Sequence, residues 1–324
     1  MLPKLLRSKH VHAVLVVYVM IAAGLVFVLQ AHPAAAVAGS KDTLTVGLQN
    51  DMVNPNYFDT ATNSVWKQYH VEFNFEGLFS HDPDFTTFNV LSDPARGGSA
   101  CPAGSLPSGP GYCIDSTGFG VTVYIHNNAT FTNSQQLTAD DVVFTFQTLP
   151  WSTYQLGIYN AIWSNTVKYP LWNATTGCTG AKCVSHIGVE KIDATTVKFH
   201  LSKTYALFFY DTMEIPIIPS GLWKNHLGTW PQLNLSDPAN RLTDTFDNSI
   251  DTTYNGIDAA TGSGPFKLTS WTHNADATMD VSPTYWGKGQ SHTWRNEIYP
   301  FYPKALRHIR AVIYGSLDVI SLAL

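Results

Sequence analysis

The chain has 324 residues, of which 13% are charged, and its formal net charge is −5. This acidic balance disfavours a nucleic-acid partner, because phosphate binding needs a surplus of Lys and Arg. The length suffices for one large domain or for two lobes with cores of their own.

The first 38 residues have the composition of an export segment. Basic residues precede an uncharged apolar run at 13–29, and small residues follow up to Ala38. We interpret residues 1–38 as a signal peptide or an N-terminal membrane anchor, and we favour cleavage after Ala38. Either form places the protein outside the cell or on its surface.

Two elements are predicted before residue 80. Alternating apolar residues predict a strand at Thr43 to Leu48. Apolar residues at helical spacing predict a helix from Asn63 to Glu76, which Gly77 is well placed to end.

The stretch from Phe119 to Leu149 predicts a strand, a polar turn and a helix in succession. In the strand, one face is expected to carry Phe119, Val121, Val123 and Ile125. At the helix start, Thr138 is expected to cap the amide of Asp141 while the Asp141 side chain reaches back. Because this capping accounts for the carboxylate, we assign it no catalytic role.

Further elements follow in the second half of the chain. A strand is predicted at Thr196 to Leu201, an extended segment at Ile215 to Pro219, and a surface excursion with short helices at 225–263. The glycine-rich turn at 262–265 lacks the spacing of a phosphate-binding loop and precedes a strand. The last predicted strand includes Ile309, Ala311 and Ile313.

Four cysteines fit an exported protein with two disulfides. Proximity along the chain favours Cys101 with Cys113 and Cys178 with Cys183, although three pairings are possible. The alternative is a metal site that uses Cys178, Cys183 and His186, for which no fourth ligand is evident.

Three N-glycosylation sequons occur in predicted turns or loops. They begin at Asn128, Asn173 and Asn234. Glycans at these positions would project from the surface.

Six segments along the chain are informative together. They are TLTVGLQNDMVNPNYFD at 43–59, FEGLF at 75–79, QLTADDVVFTF at 136–146, IPIIP at 215–219, GSGPFKLTSW at 262–271 and YWGKG at 285–289. In this order they resemble the family 5 extracellular solute-binding proteins of ABC transporters, which include dipeptide, oligopeptide and nickel binders. The resemblance implies an α/β fold of the periplasmic-binding-protein-like type II, a clamshell of two lobes. We expect lobe I at 39–271 and only the beginning of a truncated lobe II at 272–324.

The resemblance also indicates which residues face the ligand. The segment before FEGLF lines the cleft in this family, which points to Ser64, Val65, Trp66 and Lys67. Aromatic contacts follow the family's corresponding helix, which points to Tyr154 and Tyr159. The alternative is that Val65, Trp66 and the two tyrosines are ordinary core residues.

The function implied by the resemblance is that of an extracellular receptor of an ABC importer. We expect a monomer without cofactor or metal that captures an oligopeptide or an oligosaccharide and delivers it to a membrane permease. With one lobe largely missing, we expect weak or absent binding by these 324 residues. The alternatives are a secreted hydrolase, for which G-x-S-x-G and H-E-x-x-H are absent from the sequence, and a surface protein that keeps the fold without transport.

Overall fold

Two four-stranded sheets organise the part of the chain that the computed structural model describes, namely residues 42–56, 73–148, 188–201, 207–224, 226 and 254–313. In chain order the strands are β1 (Thr43–Leu48), β2 (Phe79–His81), β3 (Thr87–Asn89), β4 (Tyr112–Ile114), β5 (Gly120–Tyr124), β6 (Gly188–Asp193), β7 (Thr196–His200), β8 (Phe266–Thr272), β9 (Asp276–Val281), β10 (Ser291–Trp294), β11 (Glu297–Pro300) and β12 (His308–Ile313). The helices are α1 (Ala139–Thr148) and α2 (Ser220–Trp223), with a π turn at Phe208–Thr212 and 3-10 turns at Gly98–Ala100 and Ile257–Ala260.

The first sheet is antiparallel throughout, in the order β4-β5-β7-β6. The alternation predicted for β5 and β7 is confirmed, because Val121, Val123, Val197 and Phe199 are all buried. The prediction is wrong for Phe119, which was expected on the same face as Val121 and Val123 but is 44% exposed. It lies in the turn before β5, where the pleat that would direct it inward has not yet begun.

Helix α1 packs against β6, β7 and α2 and begins where the sequence predicts. The Asp141 carboxylate reaches back as expected, since its Oδ2 accepts the amide N–H of Thr138 at 2.9 Å. The Thr138 hydroxyl differs from expectation, because it donates to the same oxygen at 3.2 Å. The amide of Asp141 instead donates to the carbonyl of Thr138. The other carboxylate oxygen accepts the buried amide of Ser220 at 2.8 Å, which joins the starts of α1 and α2.

The second sheet has the order β1-β12-β9-β8, with β1 parallel to β12 and the other pairs antiparallel. Strands β1 and β12 confirm the predicted strands at the two ends of the described chain. The core beneath this sheet includes Leu48, Phe266, Leu268, Met279, Ile309 and Ala311. The expected lobe boundary after residue 271 falls at the end of β8, where Thr272 pairs with Asp276 of β9. The division into lobes stays a prediction.

The end of the predicted helix at Asn63 to Glu76 is wrong for residues 73–76, and residues 63–72 lie outside the described part of the chain. Phe73 and Asn74 form a turn, and 75–77 have no regular secondary structure. Gly77 therefore does not end a helix. A Cβ atom at Gly77 would lie 2.7 Å from the carbonyl oxygens of Met213 and Glu214, so glycine is needed for this close backbone approach.

The prediction for 262–265, a turn followed by a strand, is confirmed, and the segment at 215–219 is a buried connection. Ile215, Ile217 and Ile218 are buried in a segment without regular secondary structure, which ends in extended backbone at Pro219. The turn at 262–265 leads into β8 and packs on Asn74, whose carbonyl accepts the amide of Gly264 at 2.9 Å. Of the predicted excursion at 225–263, residues 226 and 254–263 are described, and a short 3-10 turn lies within them.

The predicted disulfide between Cys101 and Cys113 is confirmed, with a Cα–Cα distance of 5.6 Å. Cys178, Cys183 and His186 lie outside the described residues. Asn128 is exposed in the turn after β5, as a glycan acceptor requires, and Asn173 and Asn234 lie outside the described residues. Modification of the three asparagines stays a prediction.

No helix within the described residues is long and apolar enough to cross a membrane. The predicted export segment at 1–38 lies outside these residues.

Candidate functional site

A cavity of about 320 Å³ lies where the FEGLF segment meets two hairpins, β2–β3 and β10–β11. Its polar and acidic lining comes from Glu76, Ser80, Glu214 and His292. Its aromatic lining comes from Phe75, Phe79, Phe88, Tyr285 and Phe301. A pocket of this size with a few polar groups among apolar walls is typical of a small-molecule site.

Glu76 is the polar centre of one wall. Its two carboxylate oxygens accept hydrogen bonds from the Tyr285 hydroxyl and, at 2.9 Å, from the Trp286 indole N–H. Both donors are buried, at 5% and 7% exposure. Burial raises the pKa of Glu76 to about 7, although the bonds from Tyr285 and Trp286 act to lower it. Glu76 therefore exchanges its proton close to neutral pH.

Tyr285 serves as a permanent donor to this carboxylate. Burial raises the pKa of the Tyr285 hydroxyl far above its ordinary value, and the negative charge of Glu76 raises it further. The hydroxyl therefore keeps its proton at every pH at which the protein is folded.

The lining includes a second carboxylate, that of Glu214. Its Oε1 hydrogen-bonds to Nδ1 of His81 on β2. The His81 ring stacks on Phe85, with 5.3 Å between the ring centroids. The backbone of Met213 is fixed to β2 as well, because its carbonyl accepts the amide of Phe79. Glu214 therefore sits on a segment that the hairpin holds in place.

His292 on β10 also lines the cavity. Its Nε2 lies 3.0 Å from Oδ1 of the buried Asp82, and its ring stacks on Phe88 with 4.0 Å between centroids. Its Nδ1 is buried and has no hydrogen-bond partner within the described part of the chain. Because Asp82 accepts at one ring nitrogen, Nδ1 of the neutral ring is an acceptor.

An exposed contact holds the β10–β11 hairpin over the β2–β3 hairpin. Arg295 donates to both carboxylate oxygens of Asp84, at 3.0 and 2.9 Å, and the Trp294 indole donates to the same group at 2.8 Å. Surface pairs of this kind contribute little free energy because water and salt screen them. Their effect here is to fix the position of the wall that carries His292.

The predicted ligand residues are not tested by this geometry. Ser64, Val65, Trp66, Lys67, Tyr154 and Tyr159 all lie outside the described residues. Their role stays a prediction. The FEGLF segment that follows the first four of them forms a wall of the cavity.

Sequence reasoning missed Glu76, Tyr285 and Trp286 as site residues, although it recognised the motifs that contain them. A signal was present, because Glu76 is a single acidic residue within an apolar segment, and buried acids are almost always paired. His292 and Glu214 had no comparable signal, since their partners lie far away along the chain.

Solved structures of solute-binding proteins share this fold. They include Listeria monocytogenes OppA bound to peptide, with 16% identity, a TM-score of 0.55 and coverage of 86% of this chain and 43% of that chain. The mannohexaose-bound periplasmic oligopeptide-binding protein of Thermotoga maritima has 18% identity and a TM-score of 0.51, and the match covers 87% of this chain and 39% of that chain. NikZ of Campylobacter jejuni in complex with Ni(L-His) has 15% identity and a TM-score of 0.50, and the match covers 87% of this chain and 41% of that chain.

At these identities the likeness establishes the fold, an α/β fold of the periplasmic-binding-protein-like type II. The chain spans roughly two fifths of the length of these proteins, 39% to 43%. A comparison with curated proteins finds none that matches.

The family comparison is more specific. Residues 114–323, well over half of the chain, match the model of the bacterial extracellular solute-binding proteins, family 5 Middle. Proteins of this family are extracellular, bind small molecules and work with ABC permeases, and the family serves transport rather than catalysis. The chain belongs to the family 5 bacterial extracellular solute-binding proteins.

Proposed function

We propose that this chain is the exported solute-binding receptor of an ABC importer, which captures an oligopeptide or an oligosaccharide and delivers it to a membrane permease. The observation that carries the proposal is the family match over residues 114–323. The cavity beside Glu76 supports it, because its walls combine aromatic faces with hydrogen-bonding groups. Both solute classes offer groups for such walls.

The two solute classes have precedents among the structural relatives. The Listeria monocytogenes protein is bound to a peptide, and the Thermotoga maritima protein is bound to mannohexaose. In the proposal, the receptor works as a monomer, and a solute that touches two lobes shifts the population towards a closed form. The residues proposed to complete the cleft are Ser64, Val65, Trp66, Lys67, Tyr154 and Tyr159.

A thermal-shift screen with pools of oligopeptides and oligosaccharides at millimolar concentration tests this proposal. A receptor raises its melting temperature with one class of pool, because a ligand that binds only the folded state stabilises it. Mass spectrometry of the recovered solute should then show it intact. A changed solute would indicate a secreted hydrolase, and no shift with any pool would favour a surface protein without a transport role.

The matched variants are Trp66→Ala and Asn128→Gln. Trp66 belongs to the proposed cleft, so its loss should reduce the shift. Asn128 is exposed in the turn after β5 and does not line the cavity, so its substitution should leave the shift unchanged.

A further inference from the structure

We propose that Asn255 is a site of spontaneous deamidation, at which the chain acquires a carboxylate and, in part of the molecules, an isoaspartyl linkage. The reacting groups are the side-chain amide of Asn255, the backbone amide of Gly256 and a water molecule. This inference goes beyond the proposed function, because the chemistry needs neither a solute nor a permease.

The residue after Asn255 is the one that hinders this reaction least. Asn255 and Gly256 form the only Asn-Gly pair in the sequence. Deamidation requires the nitrogen of the following residue to approach the side-chain carbonyl carbon of the asparagine. Glycine turns into that position most easily, because it has no Cβ atom to restrict the backbone. Every other asparagine of the chain precedes a residue with a side chain.

Both reacting groups of the pair are open to water. Asn255 and Gly256 are exposed, and they lie between Tyr254 and the 3-10 turn at Ile257–Ala260. Within the described part of the chain, neither the Asn255 side chain nor the amide N–H of Gly256 has a hydrogen-bond partner. A Cβ atom at Gly256 would meet no other atom within 4 Å, so the space beside the attacking nitrogen is open.

Two other exposed asparagines show the contrast. The Oδ1 atom of Asn133 accepts the amide of Gln135 at 3.0 Å, so this side chain is held in its turn. Asn296 is exposed in the β10–β11 hairpin, but it precedes Glu297, whose side chain hinders the approach of the backbone nitrogen. We therefore expect Asn255 to react before either of them.

The reaction has two steps, and its atoms balance with water as the only co-reactant. The nitrogen of Gly256 forms a bond to Cγ of Asn255, the bond from Cγ to the side-chain nitrogen breaks, and ammonia leaves with the proton of the Gly256 N–H. Water then opens the five-membered succinimide ring. Opening at Cγ yields aspartate. Opening at the main-chain carbonyl carbon yields isoaspartate, in which the chain continues through the former side chain.

The isoaspartyl product has one additional main-chain atom at a place where both flanking segments are anchored. On one side, the carbonyl of Tyr254 accepts Nδ2 of the buried Asn56 at 2.9 Å, and the Tyr254 ring packs edge-on against Trp223. On the other side, Ala259 is buried in the core of the first sheet and Ala260 in that of the second. The additional atom should displace one of these anchors. We therefore expect the isoaspartyl form to melt at a lower temperature than the aspartyl form.

Peptide mapping by mass spectrometry tests the inference on the whole chain, incubated at pH 8 and 37 °C and sampled over several days. The peptide that contains Asn255 should gain the mass difference between an amide and a carboxyl group, ahead of the peptides that contain Asn133 and Asn296. Electron-transfer fragmentation should assign part of the product to isoaspartate. An Asn255 peptide that keeps its amide, or that reacts no faster than the other two, would overturn the inference.

The matched variant is Gly256→Ala. Gly256 has a φ of −73°, which any residue adopts, and open space at the Cβ position, so the variant should fold and melt like the natural protein. Its Asn255 should react several-fold more slowly, and an undiminished rate would contradict the proposed attack by the Gly256 nitrogen. Asn255→Asp supplies the aspartyl form for comparison. If the separated isoaspartyl form melts at the same temperature as Asn255→Asp, the expected displacement of an anchor is wrong.

Discussion

Replacing Glu76 with Gln should change how the stability of the protein depends on pH. The carboxyl is held between Tyr285 and Trp286, and burial raises its pKa from the ordinary 4.5 to about 7. A carboxyl whose pKa is raised by folding takes up its proton more readily in the folded state. Its contribution to stability is therefore complete below pH 4.5 and is lost as pH rises to about 7.

The size of the effect follows from this interval. At about 1.4 kcal/mol per pH unit, a rise from 4.5 to about 7 corresponds to about 3 kcal/mol of unfolding free energy. Gln does not titrate, so the variant should lack this loss. The unfolding free energy of the natural protein minus that of the variant should therefore be about 3 kcal/mol larger at pH 4.5 than at pH 7.5.

Urea unfolding at several pH values between 4.5 and 7.5 measures this difference. The comparison between the two proteins is necessary because other groups titrate in the same range. Burial lowers the pKa of His126 and of His200, so their contributions are lost as pH falls below 6.5. Both histidines are present in the two proteins, so their contributions largely cancel in the difference between the two stability curves. Glu297→Gln, on the exposed surface, should parallel the natural protein.

Parallel stability curves for the natural protein and Glu76→Gln would refute this reasoning. They would show that the carboxyl is not desolvated when the protein is folded, or that the contact with Tyr285 and Trp286 does not persist in solution.

Three further substitutions test the fold. Phe199→Ala should lower the free energy of unfolding by about 3 to 5 kcal/mol in urea unfolding, because Phe199 is fully buried in the first sheet, and a loss below 1 kcal/mol would contradict that burial. The double variant Cys101→Ser with Cys113→Ser should lose roughly 2 to 3 kcal/mol of unfolding free energy, because the unfolded chain without the disulfide has more conformational entropy. Calorimetry that finds no change would exclude the disulfide in solution. Asp141→Ala should cost about 2 to 4 kcal/mol, because the amide of Ser220 is left buried without its acceptor; a fully stable variant would show that this amide finds another partner.

Local patterns predicted the elements whose determinants lie close together in the chain. Strands β5 and β7 follow from alternating apolar residues, and α1 follows from the bond between Thr138 and Asp141, which are three residues apart. Phe119 shows the limit of this reasoning, because the alternation continues beyond the point where the strand begins. Gly77 shows another, since its role depends on a backbone segment more than a hundred residues later.

The cavity could not be predicted because its parts meet only in three dimensions. The partners of Glu76 lie 209 and 210 residues further along the chain. The parallel pairing of β1 with β12 likewise joins opposite ends of the described chain. Periodicity reports which face of an element is apolar, and it carries no information about which distant element covers that face.

The central claim is that the chain captures a small solute and returns it unchanged. Saturation-transfer difference NMR, with peptides and oligosaccharides at millimolar concentration, tests this most directly because it detects weak binding and chemical conversion in one sample. The account predicts saturation transfer to one class of solute, with the spectrum of that solute unaltered over hours. No transfer to any solute, or the appearance of cleaved products, would contradict it.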